Sequence, residues 1–223
     1  GMIKTKTARV SFPTVALAPT KAVAKQLVYF TVALLCSRGL VFGKYAPFGV
    51  AAVAALPYSA LWSVILGSIA GYLLPSAVLA AAAIRWTLND LVKLRMHPAF
   101  APTTAFLPVL ATGLAIVFVN GSNSVTIAMY VAESLLAGGA AYFFARTAVF
   151  AESKREIGAM SGQELACAAL SAGILLLSLS NLTIGTISLG RIIAVIVILF
   201  AARYGGVSGG SVAGIAVGIT FSL

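Results

Sequence analysis

Apolar runs long enough to cross a hydrocarbon layer, broken only by short polar or basic connections, decide most of what this chain can fold into. A helix needs about 20 predominantly apolar residues to span a bilayer. The stretch from Leu27 to Ile84 is interrupted only by Arg38, Lys44, Pro47, Pro57 and Pro75. Lipid offers no water to backbone N–H and C=O groups, so segments of this kind must satisfy those groups internally, as helices. Only 9% of the 223 residues are charged, against roughly 25% in soluble domains. The pattern predicts an all-α fold, a polytopic transmembrane helix bundle whose first partner is the lipid bilayer.

Within that bundle, positions 27 to 43 and 58 to 75 read as spans. Positions 46 to 57 form a helix too short to cross alone, either re-entrant or interfacial. Residues 76 to 84 extend towards a segment, 85 to 97, in which Trp86, Leu91 and Leu94 mix with Arg85, Lys93 and Arg95, a combination suited to a membrane surface. Further spans are expected over 104 to 119, 125 to 149, 163 to 179 and 185 to 202, and 207 to 223 starts another. The expectation is therefore about six complete spans plus the start of a seventh. They follow a basic arm, residues 1 to 26, with Lys4, Lys6, Arg9, Lys21 and Lys25 and no acid. Because the last span has nowhere to finish, the domain over 27 to 223 reads as cut short at its C-terminus.

A net charge of +10 would point to nucleic acid in a soluble domain. Here the basic residues lie between apolar runs, where they set orientation against an anionic inner leaflet, so no nucleic-acid partner is expected. With the basic arm in the cytoplasm, every Lys and Arg except Arg38, Lys44 and Arg191 falls on the cytoplasmic side, and the outer connections at 120 to 124 and 180 to 183 carry no charge. The predicted location is the bacterial cell membrane, multi-pass, with the N-terminus inside.

Three ionisable residues fall within the expected spans: Arg38, Glu133 and Arg191. A charge in lipid is costly, and such residues normally pair or face a polar cavity. All three lie in the outer half, so a polar cluster joining Glu133 to one of the arginines is expected. Glu164, three residues after Ser161, has capping-box spacing. Glycines mark close packing: Gly67 and Gly71 sit one turn apart, and Gly206, Gly210, Gly214 and Gly218 form a small-residue stripe suited to self-association. With one histidine and two cysteines in the chain, no catalytic residue, metal site or cofactor site is predicted.

Arg38-Gly39, near the end of the first span, is followed by Ala46-Pro47-Phe48-Gly49-Val50-Ala51 at the head of an alanine-rich segment. This arrangement resembles the N-terminal membrane region of the stage II sporulation protein E family, with Arg38, Gly39, Pro47, Phe48 and Gly49 as landmarks. The resemblance extends in style through the glycine-rich spans to Gly218. It implies a longer parent protein, a serine phosphatase of the manganese-dependent PP2C type, whose membrane region localises it to the polar division septum. There it helps switch on the forespore-specific sigma factor, with the tubulin-like division protein and other septal proteins as partners. The manganese and its aspartate ligands belong to a phosphatase domain outside this chain, so the resemblance implies no enzyme activity here. The competing reading is a small membrane transporter, such as the substrate-binding subunit of a vitamin-uptake system, with the Glu133 cluster as its pocket. A bundle with only a scaffold role is the third.

Overall fold

The structure is a computed structural model that describes residues 17–121, 123–153, 155–180, 183–184 and 187–188. Eight helices occur among them: α1 (Leu17–Ser37), α2 (Phe48–Ala55), α3 (Leu61–Gly71), α4 (Ser76–Leu88), α5 (Val92–Arg95), α6 (Phe100–Asn120), α7 (Ser124–Glu152) and α8 (Gly162–Ser180). Two antiparallel two-residue strands, β1 (Thr183–Ile184) and β2 (Ile187–Ser188), follow. This hairpin leaves the fold all-α.

Proline sets the boundaries in the first half. Pro47 and Pro75 occupy the N-cap positions of α2 and α4, and Pro57 precedes a 3-10 turn, Tyr58–Ala60, that runs into α3. Proline fixes its own φ and donates no N–H, which suits the start of a helix and not its interior. The long apolar run is thereby cut into pieces of 8, 11 and 13 residues. In α6 Pro108 lies inside the helix and is buried.

The shortest of these pieces is the centre of the fold. Every residue from Phe48 to Ala54 is buried, and α2 is enclosed by α1, α3, α4, α6 and α7. It is therefore not an interfacial helix, because no side of it is left for a membrane surface. The core around it joins Val50, Val53, Leu61, Val64, Ala105, Val109, Ala137 and Phe144.

The expected count of six complete spans is not what the structure holds. Among the described residues three helices are both long and apolar enough to cross a membrane: Phe100–Asn120, Ser124–Glu152 and Gly162–Leu179. The span expected over 27 to 43 ends at Ser37, and the helix that contains it begins with polar turns bearing Lys21, Lys25 and Gln26. The one expected over 58 to 75 stops at Gly71. Apolarity alone overstated both, since much of that surface meets protein rather than lipid. Of the span expected over 185 to 202 only Ile187 and Ser188 are described, and they lie in β2 rather than in a helix; the rest of it, the span over 207 to 223 and most of the basic arm lie outside the described residues.

The long helices look the part. One third of each apolar window is buried in the bundle, and the outward faces stay apolar, with Phe118 91% and Val119 80% exposed. In water that surface would be unfavourable by about 25 cal/mol per Å², a cost that a lipid surround would remove. Helices α6 and α7 form an antiparallel pair, turned at Gly121 with φ +90 and restarted at Asn123, whose side chain accepts from the Val125 N–H at 3.1 Å.

Candidate functional site

The landmark residues meet at the junction of α1 and α2. The Arg38 and Gly39 N–H groups donate to the carbonyls of Leu35 and Cys36 at 3.2 and 3.1 Å, closing α1. A tight loop follows, in which Val41 and Tyr45 exchange both backbone hydrogen bonds, at 2.8 and 3.0 Å. Its tip is formed by Phe42 and Gly43, at φ 50 and 81. Pro47 then starts α2. A Cβ on Gly39 would lie 2.7 Å from Ser178 Oγ and 3.1 Å from the Phe48 ring, and one on Gly49 would lie 2.8 Å from Ser37 Cβ. Each glycine thus lets the opposite strand of the junction approach, Gly39 towards Phe48 and Gly49 towards Ser37.

The same loop roofs a cavity of about 270 Å³ between α2, α3, α4, α6 and α7. Glu133 and Lys44 both line it, together with Tyr72, Tyr130, Ser37, Ser68, Ser76 and Thr112. Tyr130 and Glu133, three residues apart on α7, share one helix face. The Tyr130 ring packs edge-on against Tyr45, with centroids 5.4 Å apart, and the Ala46 N–H donates to the Glu133 carboxylate. Two contacts therefore dock the loop on α7. The Tyr72 hydroxyl adds a third from α3, donating to the Lys44 carbonyl at 3.2 Å. Gly113 makes room, since a Cβ there would come within 2.5 Å of the Tyr130 ring.

Glu133 is half-buried in this wall, while Lys44 is exposed at its mouth. The ion pairs between described residues are Lys25–Glu152 and Arg155–Glu164, so neither Glu133 nor Lys44 has an oppositely charged side chain within 4.0 Å among them. Arg38 sits at the end of α1 and does not line the cavity, and Arg191 lies outside the described residues. Sequence reasoning singled out Glu133 but passed over Lys44, Tyr72 and Tyr130. The signal available for the last was its spacing from Glu133.

The glycine pair of α3 lies directly against α1. A Cβ on Gly67 would strike the Phe30 carbonyl oxygen, and one on Gly71 would strike Ser37 Oγ and come within 2.5 Å of the Leu34 carbonyl oxygen. The stripe of Gly206, Gly210, Gly214 and Gly218 lies outside the described residues. At the other end of the bundle, Glu152 closes α7 and accepts from the Tyr29 hydroxyl at 2.8 Å while pairing with Lys25 at 3.0 Å. Ser161 and Glu164 form the reciprocal capping box, with the Glu164 N–H on Ser161 Oγ at 3.2 Å and the Ser161 N–H on Glu164 Oε2 at 3.0 Å. Arg155 adds a contact of 2.6 Å to the same carboxylate.

The amino-acid sequence has a counterpart among known families. The family model described as the SpoIIE N-terminal domain matches residues 4–223. The chain belongs to that family. It corresponds to the family's non-catalytic N-terminal domain, and among the described residues no group of three His, Cys, Asp or Glu side chains could hold a metal ion. No curated protein and no solved structure matches it. Membrane association and a multi-pass path agree with both the family and the long apolar helices.

Proposed function

We propose that this domain anchors, localises and assembles a sporulation-specific serine phosphatase at the polar septum, where the enzyme contributes to activating the forespore sigma factor. The family match over residues 4–223 carries the reading, and the three long apolar helices support the anchoring part of it. Catalysis and its manganese belong, in this proposal, to a separate domain of the parent protein.

The N-terminus faces the cytoplasm in this reading, because the basic residues outside the apolar runs concentrate on that side. The tubulin-like division protein and other septal proteins are the proposed partners. A second copy of the chain is proposed to pack against the stripe from Gly206 to Gly218, where small side chains let another helix approach closely. A transporter would have left the match to this family without an explanation, so transport is not proposed.

The test is localisation of the full chain fused at its C-terminus to a fluorescent protein, in sporulating cells. A band of signal at the polar septum is the expected result. Uniform labelling of the lateral membrane would overturn the localisation, and a soluble distribution would overturn the anchoring as well.

A further inference from the structure

Two opposite charges face one cavity without pairing with each other. Glu133 approaches from α7 and Lys44 from the loop between α1 and α2, both in the wall of the 270 Å³ space, and no ion pair within 4.0 Å joins them. Among the described residues no cationic side chain lies within 4.0 Å of Glu133, and a half-buried carboxylate in that position is unfavourable unless something else supplies a positive charge. Among the described residues its backbone donor is the Ala46 N–H, one partner for a group that can accept about four hydrogen bonds. The volume equals that of roughly nine liquid waters at ~30 Å³ each, more than is needed to solvate one carboxylate. It is a space of small-molecule size.

The walls also select the kind of molecule. The aromatic rings of Tyr72 and Tyr130, with Ser76 and Thr112, make a lining that suits a small ammonium group beside the Glu133 carboxylate. The exposed Lys44 ammonium at the mouth, held 5.2 Å from the Tyr45 ring centroid, suits an anionic group on the outer end of the same molecule. The loop that carries Lys44 is held by Tyr130, Tyr72 and Glu133, which keeps the backbone of Lys44 at the mouth of the cavity.

We propose that the cavity between Glu133 and Lys44 binds a small zwitterion, its primary ammonium on Glu133 and its carboxylate or phosphate on Lys44. This chemistry is shared by free amino-acid-like or phosphoethanolamine molecules and by the headgroup of phosphatidylethanolamine.

The test uses the full chain purified in detergent. Binding of O-phosphoethanolamine and of β-alanine is measured by calorimetry, and binding of phosphatidylethanolamine and phosphatidylglycerol by native mass spectrometry. Saturable binding of either zwitterion class is expected, with free molecules binding alone if the ligand is soluble and phosphatidylethanolamine preferred if it is a lipid. Glu133→Gln keeps the shape and an acceptor for the Ala46 N–H but removes the charge, and should weaken binding about tenfold or more. Lys44→Gln, in an exposed loop position, should do the same, and it remains informative if the Glu133 variant does not fold. Absence of saturable binding by every zwitterion would overturn the proposal. So would equal binding of phosphatidylglycerol, or unchanged affinity in Lys44→Gln.

Discussion

The Arg85 guanidinium donates to the Val53 carbonyl oxygen at 2.9 Å, and the same nitrogen reaches the carbonyl of Leu56. These carbonyls lie at the C-terminal end of α2, a helix buried from Phe48 to Ala54, where both hydrogen bonds are partly buried. The last carbonyls of any helix lack intrahelical partners, and they carry the negative end of its dipole. A long arginine from α4 meets both needs at once, with the Tyr58 ring 5.9 Å from its charge. What the sequence suggested was a surface-facing arginine at the head of a basic segment. In the fold it is a cap for the central helix.

Replacing Arg85 should therefore cost more than a surface arginine would. Arg85→Met retains the stem but strands the two carbonyls, and should lower stability by about 2–3 kcal/mol. Arg85→Lys keeps a charge but only a point donor, and should fall between. Thermal unfolding in detergent measures both, and a wild-type melting curve for Arg85→Met would remove the capping role.

Glycine substitutions separate tight contacts from open ones. Gly67→Ala and Gly71→Ala put a methyl group into backbone carbonyls of α1, which cannot swing aside as a side-chain tip can. Each should destabilise by about 1–3 kcal/mol. Gly139, in the middle of α7, has nothing within 4 Å of where its Cβ would be. Gly139→Ala should be neutral or stabilising by up to about 1 kcal/mol through helix propensity. If all three variants melted alike, close packing of α1 on α3 would not be what holds these helices together.

The helices in the second half of the described chain were readable to within about four residues at each end, though the β1–β2 hairpin after them was not. The spans expected over 104 to 119, 125 to 149 and 163 to 179 correspond to α6, α7 and α8. Each is one uninterrupted apolar run between polar turns, so composition and length suffice. Between Leu27 and Ile84 the same signals failed for a physical reason. Hydropathy reports that a segment avoids water but not whether lipid or protein replaces it. In α2 protein covers every side from Phe48 to Ala54. The prolines at 47, 57 and 75 marked the breaks correctly, yet the resulting pieces fold back into one core instead of crossing.

The site was legible in part for a related reason. Counting residues from a span end gives depth, which drew attention to Glu133. Depth says nothing about which neighbour lies alongside. Lateral neighbours come from the turn at Phe42 and Gly43, which carries Lys44 and Ala46 over α7. Landmarks Gly39 and Gly49 acquire a physical role at the same junction, as positions where Phe48 and Ser37 come too close for a side chain.

The contact joining Lys25, Tyr29 and Glu152 ties the middle of α1 to the end of α7 but should contribute little stability. The Lys25 and Glu152 side chains are 39% and 42% exposed, and ion pairs at that exposure give at most about 0.5–1 kcal/mol after screening. Lys25→Ala should leave thermal unfolding within that range. A loss several times larger would mean that the pair is shielded from water and salt, contrary to its exposure.

Sidedness offers the sharpest check on the three long helices. At 1.5 Å per residue α6 is about 31 Å long, close to the hydrocarbon thickness of about 30 Å, whereas α7 reaches about 44 Å. The surplus lets α7 extend beyond the hydrocarbon at its Glu152 end, which is where Lys25, Tyr29 and Arg155 gather. Because α6 and α7 each cross once, His97 and Arg155 should lie on one face of the membrane and Asn123 on the other. Single cysteines at these exposed positions can be probed in intact cells with an impermeant thiol reagent. Both native cysteines, Cys36 and Cys167, are buried, so background should be low. The expected outcome is labelling of the Asn123→Cys variant from outside, with the His97→Cys and Arg155→Cys variants protected until the cells are opened. Labelling at 97 and 155 from opposite faces would mean that α6 or α7 does not cross, and the three-helix membrane arrangement would have to be abandoned.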